Sequence, residues 1–262
     1  MTGISSGSAT ARPIQDGDLK SKAFIRLLYR LSVAAFILGG PGARAQISNS
    51  AASYAERGIA FYARGNLDEA IVDYSAAIAF DPKFAPAYYL RGLSRFDKGD
   101  LDGAITDFAA AIEINPRYAE AFCGRADAFA TKGRIDEALS DYDRAIALNP
   151  RLAVAYCNRG AARRRRGDLD GAISDYNRSI AIDSRLAAAY NNRANALREK
   201  GRLKEAIVDF DKAIKINPDY SKAYANRALV KLLQGQTAEA ENDFDQALLL
   251  DRKAKLKRVS GH

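Results

Sequence analysis

The chain has 262 residues, 40 basic against 32 acidic, and a formal net charge of +8. Its single histidine is the last residue, His262, which excludes a histidine-built acid–base site or metal cluster within a fold. Residues 1–45 hold six basic and two acidic groups, so the remainder carries only +4, too mild for a dedicated nucleic-acid binder with a basic face.

The first 45 residues differ from all that follow. Lys20, Lys22, Arg26 and Arg30 precede an apolar run from Leu31 to Gly40, and Ala43 and Ala45 then make an Ala-x-Ala motif. A positive region, a short apolar region and a small-residue cleavage site are the three parts of a secretory signal peptide. The apolar run falls short of the ~20 residues a membrane span requires. Cleavage after Ala45 leaves Gln46 first and puts the mature protein in the periplasm or outside the cell, with no stable membrane span. A misassigned start would leave it cytoplasmic. Residues 46–50 form a short linker.

From Ala51 the chain repeats every 34 residues. Prolines 82, 116, 150 and 218 set the phase of six units: 51–84, 85–118, 119–152, 153–186, 187–220 and 221–254. Numbered within the unit, position 15 is always Gly (65, 99, 133, 167, 201, 235) and position 20 always Ala (70, 104, 138, 172, 206, 240). Position 4 is always Tyr or Phe, as is position 24, and position 8 is always Gly or Ala. A fixed period of this size marks an array of small units that bury their apolar faces against one another.

Each unit reads as a helical hairpin. In the fifth, Ala189–Arg198 is small or apolar at helical spacing, and Gly201 supplies the left-handed residue that ends a helix. Ala206, Ile207, Phe210, Ala213 and Ile214 then form the apolar stripe of a second helix, which Asn217-Pro218 stops. Twelve helices are expected, near 52–64 and 68–80 and at their 34-residue translations. The small residues at positions 8 and 20 let paired helices approach closely.

Position 7 is Arg in every unit (57, 91, 125, 159, 193, 227) and position 23 is Asp in every unit (73, 107, 141, 175, 209, 243). In an antiparallel hairpin turning near position 16 these columns face one another, so six internal ion pairs are expected rather than a basic binding stripe.

This pattern resembles the tetratricopeptide repeat (TPR), whose signature is an aromatic, a Gly or Ala, a later Ala, a second aromatic and a closing Pro at these spacings. The resemblance covers 51–254. It implies an all-α, right-handed superhelix whose first helices line a concave groove. Departures are mild: Ser184 and Arg252 replace the closing Pro, Ser179 replaces an Ala, and position 7 carries Arg where Leu is common.

The resemblance also implies that positions 2, 5, 6, 9, 12 and 13 of each first helix face the groove. The partner-binding candidates are therefore Tyr62, Tyr89 and Phe96 in the first half. Asn158, Asn191, Asn192, Asn195, Asn226, Arg164 and Arg198 follow in the second. Asn158, Asn192 and Asn226 share position 6. Their amides can donate and accept at once along a peptide backbone, and the column is similar to the asparagine ladder in the repeat domain of O-linked N-acetylglucosamine transferase. A neutral choice of residue fits the column equally well. If the amides serve a peptide and otherwise face water, replacing all three with Ala should weaken binding and leave stability almost unmoved. The chaperone-type carboxylate clamp has Lys at position 5, which this chain lacks.

Three further features take structural readings. Arg163–Arg166 close a first helix and point ~100° apart, as a solvated helix end does, with Arg164 toward the groove. Cys123 and Cys157 sit at position 5 of adjacent units, too far apart for an unstrained disulfide. Only eight residues follow Ala254, which leaves the last hairpin without a separate capping helix and leaves open a homodimer through that end.

No catalytic constellation, metal cluster, phosphate loop or cofactor motif is present, so no enzyme activity and no cofactor are expected. The sequence therefore reads as a non-enzymatic scaffold that binds an extended peptide or protein segment in its groove. Two alternatives stand beside it: an assembly subunit acting through its ends or convex face, and an accessory module of a cell-envelope enzyme.

Overall fold

The computed structural model describes residues 50–259, and the leader lies outside them. Among the described residues, twelve helices run in antiparallel pairs. In chain order they are α1 (Ala51–Arg64), α2 (Leu67–Phe80), α3 (Ala85–Lys98), α4 (Leu101–Ile114), α5 (Ala119–Thr131) and α6 (Ile135–Leu148). Then come α7 (Ala153–Arg165), α8 (Leu169–Ile182), α9 (Ala187–Glu199), α10 (Leu203–Ile216), α11 (Ser221–Leu233) and α12 (Thr237–Val259). Each helix packs on its neighbours in the chain, and odd-numbered helices also touch the next odd-numbered one. The result is a right-handed α-solenoid with α1, α3, α5, α7, α9 and α11 along its concave face.

The turns within each pair need glycine. All six position-15 glycines have φ between 75° and 88°, the only positive-φ residues among those described. An added Cβ at any of them would meet nothing within 4 Å, so backbone conformation rather than space selects Gly.

Between pairs, the Asp or Asn at position 31 ends the second helix. Its side chain accepts from the backbone N–H two residues on, at Asp81, Asn115, Asn149, Asp183 and Asn217. Proline is dispensable here: α8 stops at Ile182 although Ser184 replaces it. The turn is also pinned by an apolar residue at position 34, such as Leu152, Leu186 and Tyr220, which are all buried. Ala254 occupies that position in the sixth unit, and α12 runs on to Val259, beyond the helix end that the period alone suggested.

All six Arg–Asp pairs form. Each Arg donates from Nε and Nη2 to the two oxygens of its Asp, at 2.5–2.9 Å. Each guanidinium also lies 5.4–5.7 Å from the ring at position 4 of its own helix. The pairs reach beyond their own units as well. Nη1 of Arg91, Arg159, Arg193 and Arg227 donates to Ser75, Asp143, Asn177 and Asp211 of the preceding hairpin.

A two-unit alternation overlies the 34-residue period. In even units a cation at position 11 joins the central Asp: Arg95 on Asp107, Arg163 on Asp175 and Lys231 on Asp243. In odd units position 11 is Phe61, Phe129 or Leu197. Asp100 and Asp168 cap their second helices through the N–H of Gly103 and Gly171, whereas Arg134 and Arg202 pair with Glu137 and Glu205 instead.

Candidate functional site

The concave face is built where successive first helices lie side by side, and its side chains are linked in a fixed register. Position 12 of one helix meets position 13 of the next. Tyr62 Oη donates to Asp97 at 2.6 Å, Arg164 Nη1 donates to Glu199 at 2.5 Å, and Arg165 Nη1 donates to the Ala130 carbonyl at 2.6 Å. Position 5 meets position 6 of the next in the same way. Asn226 donates to Asn191 Oδ1 at 3.1 Å, and the Asn192 amide lies 3.7 Å from Cys157 Sγ.

These contacts place the candidate residues. Tyr62 and Tyr89 are buried, Tyr89 with its ring centroid 5.0 Å from Tyr118 and 5.8 Å from Phe108. Tyr62 is tied to the next repeat through Asp97, Tyr89 packs within its own repeat, and Phe96 is half-buried. Asn191 and Asn195 are also buried, and Asn195 donates to the Asn191 carbonyl one turn back. Asn158, Asn192 and Asn226 are half-buried on the first helices of their repeats, as are Arg164 and Arg198.

Water does not by itself satisfy the asparagine column. Asn158 donates to Asp127 at 2.8 Å, Asn192 accepts from Asn191 at 3.2 Å, and Asn226 reaches Asn191. Each amide ties its helix to a neighbour or orders a side chain beside it. The expectation of unmoved stability is therefore corrected. Replacing all three with Ala should lower stability by about 1–3 kcal/mol, since each lost hydrogen bond is worth roughly 0.5–1.5 kcal/mol and the loss is partly compensated by water. Thermal or urea melting of the triple variant measures it.

The arginine run divides in two. Arg165 and Arg166 are exposed at the helix end, as expected, but Arg163 and Arg164 are half-buried, and every member has a protein partner: Arg163 on Asp175 at 3.0 Å, Arg164 on Glu199, Arg165 on Ala130 and Arg166 on Asp136 at 3.5 Å. Sequence reasoning missed Asp127, which accepts from both Asn158 and Tyr142 at the middle of the groove. It also missed a ladder joining position 14 to position 18 of the preceding unit: Lys98–Asp68, Lys132–Asp102, Arg166–Asp136 and Lys200–Asp170. The signal was there, as basic residues recurring at 98, 132, 166 and 200 with acids 30 residues earlier.

Cys123 and Cys157 are free and buried. Burial pushes the Cys157 thiol up to about 12 and the Cys123 thiol well above its ordinary value. Both should resist thiol reagents in the native protein and react within the unfolding transition. Their folded values lie above the unfolded value of about 8.5, so the stability they contribute is full below that pH. It declines as the pH rises further. Melting followed between pH 7 and 10 checks the sign.

Among the described residues no group of His, Cys, Asp and Glu side chains could hold a metal ion, and no helix is long and apolar enough to cross a membrane.

Family models of the tetratricopeptide repeat match residues 187–220, 89–153 and 210–242, and a further TPR repeat model matches 58–96 and 160–197. No curated protein matches. Among solved structures, MamA is 26% identical with a TM-score of 0.55, covering 63% of this chain and 96% of its own. A thermophilic TPR protein of Thermus thermophilus is 22% identical with a TM-score of 0.61, covering 70% of this chain and all of its own. The Cut9–Hcn1 hetero-tetramer of the APC/C matches at 17% identity and a TM-score of 0.74, covering 88% of this chain and 44% of that one.

Proposed function

From the premise that the chain belongs to the tetratricopeptide-repeat family, whose members bind protein or peptide partners, we propose a non-enzymatic scaffold that holds a partner segment in its concave groove. One observation carries this reading. The charged columns of the second helices are consumed by internal ion pairs, whereas the concave face keeps half-exposed side chains of mixed chemistry. These include Phe96, Asn158, Asn192, Asn226 and Arg198. Such a surface suits an extended peptide, whose backbone N–H groups can donate to the side-chain oxygens of Asn158 and Asn226.

Affinity capture with the full-length protein tests it. Ala161 lies on α7 at groove position 9, and Val208 lies on the outer face of α10 and is 64% exposed. Ala161→Glu should reduce partner capture by tenfold or more, and Val208→Glu should leave it unchanged. The reverse pattern would favour an assembly subunit working through its convex face.

Export is proposed with it, on the basic and apolar leader that ends at Ala45. N-terminal sequencing of the native protein should begin at Gln46; an intact N-terminus in the cytosol would end that proposal.

A further inference from the structure

The rungs that join position 12 to position 13 leave one arginine without an acceptor. Tyr62 meets Asp97 and Arg164 meets Glu199, but the next arginine in that register is Arg198, and the position paired with it holds Leu233, which offers no acceptor. Among the described residues the Arg198 guanidinium has no hydrogen-bond or ion-pair partner, although the side chain is half-buried. A half-buried cation without an acceptor has lost part of its hydration and gained nothing in return.

Beside it lies the most apolar surface of the groove. Leu232 and Leu233 follow Leu229 by one turn of α11, and the three are 43%, 66% and 42% exposed respectively. The corresponding residues of α7 are Ala161, Arg164 and Arg165, so this stripe is not imposed by the repeat. Exposed large apolar side chains are normally scattered; three on one stripe next to an unmatched arginine make a two-part site.

We propose that this end of the groove, between α9 and α11, takes a partner segment that carries a carboxylate beside large apolar side chains. This rests on the groove reading above and names the chemistry of its occupant. The carboxylate completes the broken rung by a charge-assisted pair with Arg198, and the apolar side chains cover the three leucines. A second copy of this chain fits less well. A two-fold self-pairing through the leucine stripe would bring the two Arg198 side chains toward each other, like charge against like.

Two soluble fluorescent peptides test the site against the full-length protein: one of leucine and glutamate residues, and its counterpart with glutamine for glutamate. The glutamate peptide should bind at least about tenfold more tightly, the equivalent of about 1.4 kcal/mol. Arg198→Gln should abolish that preference. Leu229→Ser with Leu233→Ser should weaken both peptides by about tenfold, with the melting temperature unchanged, because these side chains are already exposed. Equal affinities, no binding of either peptide, or a preference that survives Arg198→Gln would overturn the proposal. So would a dimer in sedimentation that the leucine variants dissociate. If peptide binding ignores Arg198 but is lost in Ala161→Glu, the groove reading stands and this site falls. If it ignores both, the groove reading falls as well.

Discussion

Asp175→Ala should cost the array about 3–5 kcal/mol, the usual loss when one member of a buried ion pair is removed. Asp175 is 3% exposed and accepts from Arg159 at 2.6 and 2.9 Å and from Arg163 at 3.0 Å. The substitution therefore removes the buried acceptor shared by two guanidinium groups at the interface of α7 and α8. Asp143→Ala, which removes the other acceptor of Arg159, should cost less than about 1 kcal/mol, because the Asp143 side chain is 61% exposed and screened by water. Urea unfolding of the two variants side by side gives the contrast. Equal costs would mean that the internal column is no more important than its surface extension. The same chemistry sets an acid limit. Burial alone would raise the Asp243 carboxyl, but hydrogen bonds from Arg227 and Lys231 outweigh it and hold it below its ordinary value. Its contribution is present above the unfolded value of about pH 4 and lost as the pH falls through the lower folded value.

The second large effect is steric. At Gly160 an added Cβ would lie 2.8 and 3.0 Å from the ring of Tyr176 and 3.1 Å from the Ala172 carbonyl. Gly160→Leu should destabilise by about 1–3 kcal/mol or more, because the ring is fully buried and the opposing backbone cannot retreat freely. Gly160→Ala should cost much less. Units three, five and six already carry Ala126, Ala194 and Ala228 at this position against Tyr142, Phe210 and Phe244, so a hairpin spaced for a methyl group exists in the same chain. Melting temperatures of the two variants decide it. A Leu variant as stable as the Ala one would show that the hairpins open easily and that close approach is not what selects the small column.

These contacts were legible in the sequence because they are local. Arg159 and Asp175 belong to one hairpin, and a fixed spacing on two antiparallel helices brings them together whatever the next unit does. Gly201 and Asn217 likewise act through their own backbone. What escaped the sequence depends on how one hairpin is set against another. The register joining Arg164 to Glu199, or Tyr62 to Asp97, follows from the rotation between units, which no single period encodes. The same setting joins Tyr62 and Asn191, buried residues that the resemblance assigned to the groove, to Asp97 and Asn226 of the next unit. It turns the amides of Asn158 and Asn226 toward neighbouring side chains. The candidate site was therefore legible as a face and not as a set of contacts.

The central claim is that partners bind the concave face. Site-specific photo-crosslinking in cells tests it most directly, with a benzophenone side chain placed in turn at Ala161 in the groove, Val208 on the outer face and Leu249 on α12. The account predicts a discrete partner adduct from position 161 and none from 208 or 249. Adducts from 208 or 249 with none from 161 would contradict it and make the protein an assembly unit that works through its outer surface or its end.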